Sequence, residues 1–213
     1  MKGFFAKIRE NTAGMTGREK AEYIGAYYWY HILGLAAALG LVLFLILHFS
    51  FREAPPAFTC VLVNQDINFA RDQKLGEDFA RAAGLSADQV EVDSDFNLSY
   101  GNIQLEGVNE SSYEKFFFKW RNQELDAVLM PESFYEYCKE LGGAFYSLEQ
   151  WEIQGLPVYE ESGAPAAIKA EETGLAEYLN NETGEALLLA FPDTGKNQEQ
   201  CGAFLEFLRN ISA

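Results

Sequence analysis

Histidine is nearly absent from this 213-residue chain, with His31 and His48 the only two. Both fall at the edges of one apolar run, so the rest of the chain has no imidazole for acid–base catalysis or metal binding. Basic residues are also scarce, 16 against 32 acidic ones, for a net charge of −16. That balance excludes nucleic acid, whose phosphates demand clustered Lys and Arg. The three cysteines, Cys60, Cys138 and Cys201, lie far apart with no C-x-x-C spacing. They form neither a zinc site nor a disulfide framework, and one pair plus a free thiol stays open. No G-x-S-x-G, H-E-x-x-H, P-loop or G-x-G-x-x-G occurs. Asp93-Ser94-Asp95-Phe96-Asn97 begins like a calcium loop, but Leu98 stands where glycine is needed and Gln104 where the bidentate acid belongs, so it reads as an acidic turn. Paired carboxylates such as Glu160-Glu161 and Glu171-Glu172 read as a solvated face. The expectation is therefore a protein that is not an enzyme and has no cofactor or metal.

What the chain does contain is a run of twenty residues, Ile32 to Phe51, without Lys, Arg, Asp or Glu. At 1.5 Å per residue it extends about 30 Å, the thickness of a bilayer's hydrocarbon core. It lies behind some thirty residues and ends without a small-residue cleavage site, so it reads as an uncleaved signal anchor over residues 26–52. Residues 1–31 carry a net charge of +2 and the remainder −18. By the positive-inside rule the N-terminus is expected in the cytoplasm and the C-terminal part outside. Tyr27, Tyr28, Trp29 and Tyr30 suit the inner interface, and Phe49, Phe51 and Arg52 the outer one. Thr16-Gly17-Arg18-Glu19 has the outline of a capping box, so a helix is expected to start near Thr16. Residues 1–15 read as a loose tail in a cytoplasmic and juxtamembrane segment spanning 1–25.

Beyond a linker at 53–57, residues 58–213 read as one α/β domain. Strands are expected at 58–63, 89–93, 126–130, 156–159 and 186–191. Helices are expected at 66–85, 113–123, 132–141, 166–179 and 197–210, with 94–110 a polar loop. Strands alternating with helices imply a mainly parallel sheet flanked by helices. Sequons stand at Asn97, Asn109, Asn181 and Asn210; they would matter on a eukaryotic secreted face, and such triplets also arise by chance in Asn-rich loops.

The stretch Leu125-Asp126-Ala127-Val128-Leu129-Met130-Pro131, followed by a short helix and then Gly143, Phe145 and Leu148, resembles the solute-binding proteins of ABC importers with the type 2 periplasmic-binding fold. The ending, Ala186–Phe191 followed by Lys196-Asn197-Gln198-Glu199 and Phe204-Leu205-Glu206-Phe207-Leu208, is similar to that family's late strand and helix. The leader Met15–Ile24 joined to a membrane span looks like membrane proteins of Gram-positive Firmicutes. The resemblance implies a truncated periplasmic-binding-protein-like domain, because the segment from Leu148 to Leu187 is too short for a second lobe. It also implies an extracytoplasmic binding or interaction module whose partner is a small ligand or an envelope protein.

In open α/β sheets a ligand sits beyond the carboxyl ends of the strands. That rule selects Asn64, Gln65 and Asp66 after the first strand, Asp95 and Asn97 after the second, and Pro131, Glu132 and Ser133 after the third. A basic or polar ligand suits the acidic surface. The same positions also suit helix caps and turns. The alternative is a structural or assembly subunit of an envelope transporter or sensor, docking through the aromatic run Phe116–Trp120.

Overall fold

The computed structural model describes residues 2–50, 55–105, 110–179 and 184–211, in two compact units, Met1–Ala54 and Pro55–Ala213. Phe51, Arg52 and the Asn109 and Asn181 sequons lie outside the described residues.

The first unit holds helix α1 (Lys2–Asn11) and helix α2 (Gly17–Ser50). α2 begins at the expected cap: the Thr16 N–H donates to Glu19 Oε2 at 2.8 Å, and the Glu19 N–H points back to Thr16 Oγ1 at 3.5 Å. From Gly17 to Phe49 the helix is long and apolar enough to cross a membrane. Its apolar side chains are exposed all round, from Leu33 and Leu35 through Leu43 and Phe44, which is the surface a lipid-facing helix presents. Tyr23 and Tyr27, one turn apart, meet with their rings tilted by 34° and their centroids 4.7 Å apart. The expected loose tail at 1–15 is corrected by α1, whose last residue, Asn11, donates from Nδ2 to the Tyr23 hydroxyl at 3.4 Å.

In the second unit a six-stranded sheet runs in the order β2-β1-β3-β6-β5-β4. The strands are β1 (Phe58–Val63), β2 (Val90–Phe96), β3 (Ala127–Pro131), β4 (Val158–Glu161), β5 (Ala164–Lys169) and β6 (Leu187–Ala190). β1 pairs in parallel with β2 and β3, whereas the β3–β6, β6–β5 and β5–β4 pairs are antiparallel. The sheet is therefore mixed, not mainly parallel. Four helices cover it: α3 (Phe69–Ala83), α4 (Glu110–Arg121), α5 (Glu132–Glu140) and α6 (Gln198–Ile211).

Side-chain alternation along the central strands builds two cores. Phe58, Cys60 and Leu62 of β1, Leu129 of β3 and Leu189 of β6 face α3 and α6, where Phe58, Phe79 and Phe204 meet at centroid distances of 4.8–5.0 Å. Val61, Val63, Val128, Met130 and Leu188 face α4 and α5, against Phe116, Trp120 and Phe134. Such strands are buried on both faces, hence their continuous apolar runs. α3 starts at Asn68, whose Oδ1 accepts from the Arg71 N–H at 3.1 Å. It stops at Gly84, where φ of +69° sets the left-handed cap glycine tolerates best.

The largest correction concerns 166–179, expected as a helix. Residues 164–169 are strand β5, followed by two short 3-10 turns at Ala170–Glu172 and Gly174–Tyr178. Ser162 and Gly163, with φ of +53° and +84°, close a two-residue hairpin in which Glu161 pairs with Ala164. That is the turn whose twist matches antiparallel strands. Pro165 is tolerated because β6 pairs only with Ile168 and Lys169.

Candidate functional site

Chain direction makes the site. From β1 the chain crosses through α3 to β2 on one face, then through α4 to β3 on the other, so the loops leaving β1 and β3 diverge. The gap between them, at the carboxyl ends of neighbouring strands, is the switch point of a doubly wound sheet. β6 runs antiparallel beside β3, pairing Leu187 with Pro131, and so brings the segment before it to the same end.

Asn64 leaves β1 with φ of +55°, a left-handed conformation that asparagine accepts more readily than most residues. Its side chain reads the Leu98 main chain: Oδ1 accepts from the Leu98 N–H at 2.7 Å and Nδ2 donates to the Leu98 carbonyl at 3.2 Å. Those two bonds fasten the loop after β2 to the end of β1. They hold the buried Tyr100, whose hydroxyl lies 2.8 Å from Ser133 Oγ. Ser133 is the second residue of α5, and its N–H donates to Glu185 Oε2 at 3.2 Å. Pro131, at the cap position of α5, has no side-chain acceptor, so a carboxylate 52 residues away satisfies an open N–H of the first turn. Burial pushes the Tyr100 hydroxyl above its ordinary pKa, the Ser133 hydrogen bond opposes the shift, and the Glu185 charge adds to it.

Gln65 follows, 2% exposed. Its Nε2 donates to the Asn64 carbonyl at 3.1 Å, while its Oε1 has no hydrogen-bond partner. Asp66 belongs to a separate network. It binds the Arg71 guanidinium, which also reaches Asp72 at 3.3 Å. Asp72 Oδ2 in turn accepts from the Ser94 N–H at 3.0 Å and the Ser94 hydroxyl at 2.5 Å. Arg71 is thus sunk between two carboxylates, its side chain 10% exposed.

The structure therefore brings together Asn64, Gln65, Pro131 and Ser133 of the expected residues. Glu132 begins α5, its N–H donating to the Ala186 carbonyl at 2.9 Å. Asp95 and Asn97 are half-buried, on and just beyond a bulge in β2, where Val61 pairs with Asp93 but Val63 with Phe96. Asp93 pairs with Lys115 at 3.0 Å, an ion pair within a strand-to-helix contact. Among the described residues no group of three or more His, Cys, Asp or Glu is placed to hold a metal ion. Tyr100 and Glu185 are the members sequence reading missed. Tyr100 carried a weak signal as an aromatic in a polar loop, and Glu185 carried none.

A concavity lies on the α4–α5 face, about 650 Å³, lined by Tyr113, Phe117, Phe118, Trp120, Leu141 and Gly143 among others. Of the expected docking run, Phe116 and Trp120 are core residues, whereas Phe118 is 64% exposed beside Leu141 at 53%.

No family model, curated protein or solved structure matches this chain. The reading of function accordingly rests on geometry and charge.

Proposed function

We propose that the chain is a non-catalytic, membrane-anchored extracytoplasmic binding module resembling a solute-binding protein, with its ligand at the carboxyl ends of β1 and β3. The observation that carries this reading is the convergence of Asn64, Tyr100, Ser133 and Glu185 at the switch point, beside a buried Gln65 whose carbonyl is unpaired. Polar groups held by a rigid sheet end at a topological crossing are what a small-molecule site needs. Anchoring is supported by the length and uniform apolar surface of α2. The net +2 of residues 1–31 against −18 beyond supports an N-terminus in the cytoplasm and the α/β unit outside.

A second reading, an assembly subunit docking through the α4–α5 groove, is favoured by the exposed Phe118 and Leu141. Thermal unfolding against amino acids, sugars, peptides and divalent cations separates the two. A ligand bound to the native state adds about 2.7 kcal/mol at a hundredfold excess over its dissociation constant. A saturable shift for one class supports capture of a small molecule. A folded protein that responds to none moves the weight to the groove.

A further inference from the structure

Gln65 is the informative residue. An amide side chain offers one acceptor oxygen and one NH2 group, and here the NH2 is committed to the Asn64 carbonyl at 3.1 Å. Rotating the amide by half a turn would set Oε1 against that carbonyl, oxygen to oxygen, so the hydrogen-bond network fixes which atom points away. Oε1 is then a buried acceptor without a donor, a state that native folds leave standing only for a reason. Its missing partner must carry an N–H or O–H.

Charge narrows the class. The segments around the switch point contribute Asp95, Glu132 and Glu185 besides Asp66, which Arg71 holds, and among their described residues (64–68, 94–105, 131–133 and 184–186) there is no Lys or Arg. The nearest base in sequence, Arg71, is already neutralised between Asp66 and Asp72. The helix N-terminus there, that of α5, already takes the Glu185 carboxylate, so a further anion is disfavoured, whereas a cationic donor gains from the acidic surroundings. The β1–α3 connection adds an apolar element: Ile67 in the loop and Phe69 at the first position of α3 are 48% and 72% exposed, beside the Asn68 cap and the Asp66–Arg71 pair. Two large exposed apolar side chains suit the aliphatic part of a ligand.

Resting on the binding-module reading above, we infer that the crevice takes an organic cation: a primary ammonium or guanidinium group on an aliphatic stem. Its N–H donates to Gln65 Oε1, the crevice carboxylates balance its charge, and Ile67 and Phe69 cover its stem.

The test uses the full chain in a mild detergent, with 1,5-diaminopentane and L-arginine as cationic probes and glutarate and glucose as anionic and neutral ones. A cationic probe is expected to raise the unfolding midpoint by about 5–10 °C at a hundredfold excess over its dissociation constant. Glutarate should leave the midpoint unchanged. Gln65→Met keeps the length of the side chain and removes the orphaned acceptor. It also gives up the bond to the Asn64 carbonyl, so it should melt cooperatively within a few degrees of the wild-type midpoint and bind the diamine at least tenfold more weakly. Phe69→Ser, at a position too exposed to disturb the fold, should weaken the diamine several-fold. Equal diamine affinity in wild type and both variants overturns the assignment. So does a Gln65→Met midpoint well below wild type without any response to cations, since Oε1 is then satisfied by a structural water. A response to glucose or glutarate alone overturns the cationic class and leaves the binding module standing. Silence from all four probes counts against both.

Discussion

Replacing Asn64 by alanine should cost the α/β unit about 3 kcal/mol. The side chain makes two hydrogen bonds to the main chain of Leu98, at 2.7 and 3.2 Å, and Leu98 is 1% exposed. Each such bond nets roughly 1 kcal/mol, more where the abandoned group cannot reach water. Alanine held at φ of +55° adds about 1 kcal/mol. For a unit of this size, 3 kcal/mol lowers the midpoint by about 6–12 °C, measurable by circular dichroism or by urea titration at unchanged slope. Asn64→Asp is the sharper test. Aspartate keeps the left-handed preference and the acceptor for the Leu98 N–H, but sets a carboxylate oxygen against the Leu98 carbonyl in place of a donor. It should lose about 2 kcal/mol at neutral pH. If Asn64→Asp lies within about 0.5 kcal/mol of wild type while Asn64→Ala loses only about 1, the residue serves backbone conformation alone and its role as a clamp on the β2 loop is refuted.

Three further outcomes rest on which side chains are buried and which are exposed. Cys60, Cys138 and Cys201 are free and buried, and burial raises all three thiols, Cys138 to about 12, so none should react with a disulfide reagent at pH 8 until denaturant is added, when three equivalents appear. Asp126 accepts from the Thr59 N–H at 2.9 Å and from Asn197 Nδ2 at 3.0 Å, so Asp126→Asn should cost about 1–3 kcal/mol in a denaturant titration at pH 7. Burial outweighs those bonds and raises the Asp126 carboxyl above its ordinary value of 3.8; protonation is then favoured by folding, and the stability of wild type relative to the variant should grow as pH falls through the raised pKa towards 3.8. Removing residues 1–54 should shift the protein from the membrane fraction to the soluble one, read by immunoblot after alkaline carbonate washing, because α2 is the one candidate span among the described residues.

The sequence was most legible where a single periodicity operates. The apolar run became α2, and the buried run 58–63 became β1 with its bounds intact, because strands covered on both faces have no polar alternation to blur. Capping chemistry was legible too, at Thr16 and at Gly84. Beyond β3 the reading failed for local reasons. Ala166-Ala167-Ile168-Lys169-Ala170 has good helix propensity, and the hairpin hinges on Ser162-Gly163, a turn signal outweighed by the composition after it. From that error followed the mainly parallel sheet, since a hairpin forces antiparallel neighbours and β6 then returns beside β3. Asn64, Gln65 and Ser133 were legible because a general rule places ligands at strand ends. Glu185 was not, since it reaches the site only through the antiparallel insertion of β6. Nor was the commitment of Asp66 to Arg71, where one sequence position serves structure and its neighbour keeps an unpaired side-chain carbonyl.

The most direct test is amide chemical-shift mapping of residues 55–213, titrated with the compound that most stabilises the protein against heat. The account predicts saturable shifts concentrated at Asn64–Asp66, Tyr100, Ser133 and Glu185. Shifts confined to Phe117, Phe118, Leu141 and Gly142 would contradict it and place the binding surface in the α4–α5 groove.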